Sequence, residues 1–231
     1  MSRGLLYVLT FVSIPTLFLY VSVKGANYIV SPGPDTGAFV GGILEMIVGL
    51  AGIGTAVALY PVLKRQNEGV ALGFVGSRTL EASTIFVGVA CLLSVVSLRQ
   101  AGAGAEALVT GHVLVAMYDR MFLIGQSLIP AVNALLLGSV LYQSRLVPRV
   151  LPLLGFIGAT LLVAGDIAVL FGLIGQHAGS TALLAIPIAL WEFSLGVWLV
   201  VRGFNASSPI LLPDARDAGA NRPPATVAAD Q

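Results

Sequence analysis

Residues 38–63 read Ala-Phe-Val-Gly-Gly-Ile-Leu-Glu-Met-Ile-Val-Gly-Leu-Ala-Gly-Ile-Gly-Thr-Ala-Val-Ala-Leu-Tyr-Pro-Val-Leu, with Glu45 as the one charge. An apolar run of this length crosses the hydrocarbon of a bilayer as a helix. Working outward, runs of the same kind cover 5–23, 71–97, 118–142, 150–174 and 182–201. The reading is an all-α, polytopic transmembrane bundle of six spans. The second and third exceed the minimum and are expected to tilt or extend into the interface. Residues 5–23 follow Arg3 and resemble a secretory signal, but no small-x-small cleavage site precedes Lys24, so they are read as an uncleaved first helix.

Composition agrees. The chain is 57% hydrophobic and 10% charged, with a mean hydropathy of +0.94, whereas soluble domains carry about 25% charged residues. A net charge of +1, without a basic run interleaved with aromatics, gives no footprint for nucleic acid. Arg outnumbers Lys ten to two, a bias that fits GC-rich bacterial coding and a multi-pass protein of the bacterial cytoplasmic (inner) membrane. Cys91 is the sole cysteine and lies in a span, so no disulfide or cysteine-based metal site forms within one chain.

Lys64 and Arg65 follow span two, Arg145 and Arg149 span four, and Arg202 span six, with Arg3 before span one. The opposite connections carry only Lys24 and Arg99. The positive-inside bias then puts both termini in the cytoplasm. Residues 1–204 form one transmembrane domain. Residues 205–231, rich in Pro, Ala and Asp without periodicity, are expected to be a disordered cytoplasmic tail. A three-plus-three inverted repeat is a weaker reading, because the spacing of acids in the two halves does not match.

Helical geometry directs the polar residues. Gly41, Glu45, Gly49, Gly52 and Ala56 share one face of span two; Gly155, Ala159, Leu162 and Asp166 share one face of span five. Small residues mark close helix approach in lipid, so both acids are expected to point into the bundle. Asp119, Gln126 and Asn133 fall within roughly 40° of one another on span four, beside a kink expected at Pro130. That stripe reads as a pocket wall. At about 1.5 Å rise per residue, Glu81 and Glu192 come out near the midplane and Glu45 and Asp166 in the outer half. Asp119 and Arg120 come out near the outer mouth. Arg78 precedes Glu81 by three residues on the same face, although its stem also suits snorkelling.

Five acids against Arg78 and Arg120 leave the bundle with about three uncompensated negative charges at low dielectric. Either one or more of Glu45, Asp166 and Glu192 is protonated, or a cation is bound. His112 and His177 are both expected in outer loops, and neither has metal-motif spacing. No nucleophile elbow, P-loop or dinucleotide fingerprint occurs. No catalytic residue, metal or cofactor is expected.

Three stretches are distinctive together: Gly-Ser-Arg-Thr-Leu-Glu-Ala at 76–82, Leu-Tyr-Gln-Ser-Arg-Leu-Val-Pro-Arg at 141–149, and Ile-Pro-Ile-Ala-Leu-Trp-Glu at 186–192 running on to Val-Arg-Gly-Phe at 201–204. On these the chain resembles the bacterial domain-of-unknown-function 4386 family, over about residues 3–204. The resemblance implies an integral membrane protein of six to seven helices and names no substrate. It points to Arg78, Glu81 and Glu192, and to Arg145, Pro148 and Arg149 as an inner-surface feature.

Two functions compete. One is a membrane binding or transport protein for a small or lipid-like ligand, its pocket lined by Glu45, Arg78, Glu81, Asp119, Arg120, Gln126, Asn133, Asp166 and Glu192. The other is a non-catalytic scaffold or regulatory subunit whose buried charges specify helix register. An intramembrane lipid-modifying enzyme using Glu192 and Glu81 as acid and base is a minority reading. The expected partners are the lipid bilayer and that ligand, without nucleic acid; a protein partner is left open.

Overall fold

Lys64-Arg65-Gln66-Asn67 turns the chain between its two longest α-helices, α3 (Thr36–Leu63) and α4 (Glu68–Gln100). Asn67 caps α4, its side chain accepting the Val70 N–H at 3.0 Å and so satisfying one orphan donor of the first turn. The computed structural model describes residues 3–212, and among these there is no strand. The next long helix begins as α5 (Leu108–Phe122), passes through one π-helical turn at Leu123–Leu128 and continues as α6 (Ile129–Ser144). Pro130 sits in the first turn of α6, where its missing N–H suits a local change of hydrogen-bond pattern. Two further helices, α7 (Val150–Leu170) and α8 (Gly179–Val201), complete the set.

Among the described residues five helical runs are long and apolar enough to cross a membrane: Thr36–Leu63, Glu68–Gln100, Ala105–Ser144, Val150–Leu170 and Gly179–Val201. Their outward faces expose Leu50, Val57, Leu80, Leu135 and Ile157, while Glu45, Arg78, Glu81 and Asp166 are buried. Apolar outside and charged inside is the arrangement that lipid, not water, rewards.

The first expected span differs. Residues 5–23 do not form one helix but break into α1 (Arg3–Leu9), a 3-10 stretch at Thr10–Ser13 and α2 (Thr16–Leu19). Pro15 supplies no N–H at the second break. The Thr10 hydroxyl donates to Tyr7 O and the Thr16 hydroxyl to Ser13 O, both at 2.7 Å, so side chains compete for the carbonyls. Six apolar segments therefore yield five continuous membrane-length helices and one broken one.

Helix α4 lies at the centre, against α3, α5 and α6; α7 packs between α6 and α8, and α1 closes the bundle between α3 and α8. Close approach needs glycine in particular places. A Cβ on Gly158 would lie 2.6 Å from Ile188 N, and one on Gly4 would lie 2.7 Å from Gly196 O. Both sites are backbone against backbone. After α8, Asn205 N donates to Leu146 O at 2.8 Å and the Ser208 hydroxyl to Ser144 O at 2.6 Å. The expected tail thus begins with a packed stretch, whereas its part from 213 to 231 lies outside the described residues.

Candidate functional site

Arg78 occupies the middle of the bundle, almost without solvent exposure. Its position on α4, three residues before Glu81, puts both side chains on one face. Nη1 donates to Glu81 at 2.9 Å (Oε2) and 3.2 Å (Oε1). Nη2 reaches across to Glu192 Oε1 on α8 at 2.9 Å and to the Tyr7 hydroxyl on α1 at 3.1 Å. Asn133 Nδ2 on α6 donates to Glu81 Oε2 at 2.7 Å. The guanidinium also lies 5.4 Å from the Tyr7 ring centroid and 5.7 Å from that of Phe74, a cation–π setting that replaces part of its lost hydration. Three helices meet at one cation, and α6 joins them through Glu81. Arg78 Nε, Asn133 Oδ1 and Trp191 Nε1 are buried without a hydrogen-bond partner. The snorkelling alternative for Arg78 does not hold.

A second focus surrounds Glu45 on α3. The Tyr118 hydroxyl donates to Oε1 at 2.8 Å, and Gln126 and Tyr20 flank the carboxyl. Glu45 Oε2 and the Tyr20 hydroxyl are both buried, with the hydroxyl beside the carboxyl. Tyr20 and Tyr118 meet edge to face at 5.5 Å between centroids, and Lys24 Nζ lies 5.1 Å from the Tyr118 ring centroid. Asp166 forms a third, smaller focus: the Ser127 hydroxyl of the π-helical turn donates to Oδ1 at 2.6 Å, while Oδ2 is unpartnered.

Further along the bundle, Lys24 Nζ pairs with Asp119 Oδ1 at 2.6 Å, and His177 Nε2 approaches Lys24 Nζ at 3.3 Å. Beside them Arg99 pairs with Asp35 at 2.5 Å, reinforced by hydrogen bonds to the same carboxylate from Gln100, at 2.9 Å, and from Tyr28. Burial opposes ionisation of Asp35, but the Tyr28 and Gln100 hydrogen bonds and the Arg99 charge outweigh it and hold the carboxyl below its usual range. The Tyr28 phenol is pushed up to about 12, first by burial and then by donating to Asp35.

The expected stripe on span four does face inward, yet its members part. Asp119 joins Lys24, Gln126 flanks Glu45, and Asn133 binds Glu81. Arg120 is exposed on α5 and forms no ion pair among the described residues. His112 lies on α5, not in a loop, with Nε2 2.9 Å from Ala26 O. Sequence reasoning passed over Tyr7, Tyr20, Tyr118, Ser127 and the pairing of Lys24. The available signal was hydroxyl-bearing residues inside apolar runs, which need partners when buried.

The family model described as Domain of unknown function (DUF4386) matches residues 3–203. The chain belongs to this family. No curated protein and no solved structure matches it. The DUF4386 match covers all four helices of the Arg78–Glu81 network, together with the Glu45 and Asp166 foci.

Proposed function

We propose that the protein is a membrane-embedded binding or transport protein whose polar core takes up one positive charge, as a proton or on a small cationic ligand. The observation that carries this reading is a single guanidinium shared by two carboxylates, Glu81 and Glu192. With both acids ionised the cluster holds one excess negative charge away from water, a state that the low dielectric of the bilayer disfavours. The buried carboxyls of Glu45 and Asp166, the latter with Oδ2 unpartnered, add acceptor capacity.

The six-span topology with both termini in the cytoplasm belongs to the same proposal, with the broken first segment counted as a crossing. Lys64, Arg65, Arg145, Arg149 and Arg202 fall at one end of the long helices. At the other end the bases Lys24 and Arg99 are each paired with an acid. That asymmetry supports a cytoplasmic basic face and, with the coding bias, the inner membrane of a bacterium.

Native mass spectrometry of purified wild type and Glu192→Gln tests the reading. A defined cationic or protonatable molecule retained by wild type and released by the variant is expected. Indifferent profiles from two folded proteins would sink it and favour a second reading, a scaffold in which Arg78 and Glu81 together lock four helices. That alternative draws on the complete pairing of Glu81, whose carboxylate is held by both Arg78 and Asn133.

A further inference from the structure

A cavity of about 610 Å³ opens at the end of the bundle where α6 gives way to α7 and α8 stops, far from the acids just described. Arg145, Arg149 and Arg202 line it together with Pro148, Trp198 and Phe204. The backbone fixes this wall. Arg145 ends α6 in the left-handed conformation, with φ 54°, a strained choice for a long side chain. Its carbonyl accepts from Asn205 Nδ2 at 3.4 Å, and Leu146 O accepts from Asn205 N at 2.8 Å. The segment after α8 is thereby tied to the α6–α7 connection, and Arg145 and Arg202 line the same opening.

Three exposed guanidiniums around one opening repel one another, and none pairs with a carboxylate among the described residues. Arg149 is partly engaged: it stacks 4.8 Å from the Tyr142 ring centroid and its Nε donates to Tyr142 O at 3.5 Å. Its terminal nitrogens have no hydrogen bond within the described chain. Guanidinium forks match phosphate oxygens in pairs. Beside them Trp198, Val147 and Pro148 offer an apolar wall, which a free inorganic anion would not use. The ends of membrane-length helices lie at headgroup depth, where basic pockets between helices hold anionic lipids.

We infer that the cavity formed by Arg145, Arg149 and Arg202 binds the phosphate of an anionic phospholipid, with Trp198 against its glycerol and upper acyl region. This site is independent of the charge-accepting core.

The full chain is placed in nanodiscs of phosphatidylcholine containing increasing phosphatidylglycerol, and retained lipid is read by native mass spectrometry. Saturable, selective retention of phosphatidylglycerol by wild type is expected. Arg145→Gln/Arg202→Gln should weaken it roughly 30-fold, taking each surface base at its usual worth. Lys64→Gln/Arg65→Gln removes the same charge from the same end outside the cavity and should weaken it much less. Equal losses in the two double variants would reduce the effect to general surface attraction and overturn the site. Saturable binding of inorganic phosphate in pure phosphatidylcholine, with no preference for phosphatidylglycerol, would assign the cavity to a soluble anion and overturn the lipid. Absence of selective retention by wild type overturns the proposal without any variant, so a misfolded variant does not shelter it.

Discussion

Arg78 reaches from α4 to α1 and α8 at once, and its removal should be far worse than that of any one partner. Arg78→Met leaves buried Glu81 and half-buried Glu192 without a cation, and losing one member of a buried ion network costs about 3–5 kcal/mol. Thermal unfolding in detergent should show that loss, whereas Asn133→Ala should cost about 1–3 kcal/mol through the unpaired Glu81 oxygen. Equal effects would mean that the guanidinium is not the hub. The Arg99–Asp35–Tyr28 clasp sets a pH window. Asp35 has its folded pKa depressed, so its contribution is present above the unfolded value of 3.8 and is lost as pH falls through the folded one. Tyr28 is raised, so its contribution is present below pH 10 and disappears as pH climbs towards 12. Heating scans across pH should lose stability at both extremes, and Asp35→Asn should flatten the acid limb. At this scale the sequence revealed pairs that share a helix, such as Arg78 with Glu81. Tyr7, Lys24 and Glu192 find their partners across helices, and helical spacing carries no information about that.

Among the elements, the α7–α8 contact depends on the missing side chain of Gly158. A Cβ there meets the Pro187–Ile188 backbone, which has no rotamer with which to yield, so Gly158→Leu should destabilise by about 1–3 kcal/mol or more. Gly76 on α4 faces open space, and Gly76→Ala should be neutral or stabilise by up to about 1 kcal/mol through helix propensity. A parallel loss in both variants, read as the unfolding midpoint, would discount the steric argument. Long helices were legible because hydropathy over twenty residues averages out local detail. The break at Thr10–Ser13 and the π-helical turn at Leu123–Leu128 were not, since each depends on a few hydroxyls or one proline overriding an otherwise helical run.

For the whole molecule, the proposed orientation rests on charge placement and is open to a direct check. In a Cys91→Ala background, a thiol at Gln66→Cys should react from the cytoplasmic face and one at Glu106→Cys from the opposite face. Both labelling from one side would refute the alternation of the long helices. The count of spans was legible only to within the first segment, whose apolarity matches a crossing while its backbone does not make one helix. The basic end was legible as a list of arginines. Their gathering around one cavity was not, because it depends on the Asn205 and Ser208 contacts that draw the post-α8 segment onto the α6–α7 connection.

The contact between α1 and α8 joins the first and last of the described helices, and this has a consequence in time. During synthesis α4 enters the bilayer well before α8 exists, so Arg78 and Glu81 must enter as a neutral couple on one helix. Glu192 arrives after them and brings the second negative charge to helices already made. Tyr7 waits throughout for its place beside them. The charged centre therefore closes only once α8 is made, and a chain halted before α8 would hold its arginine with one acid and an open flank.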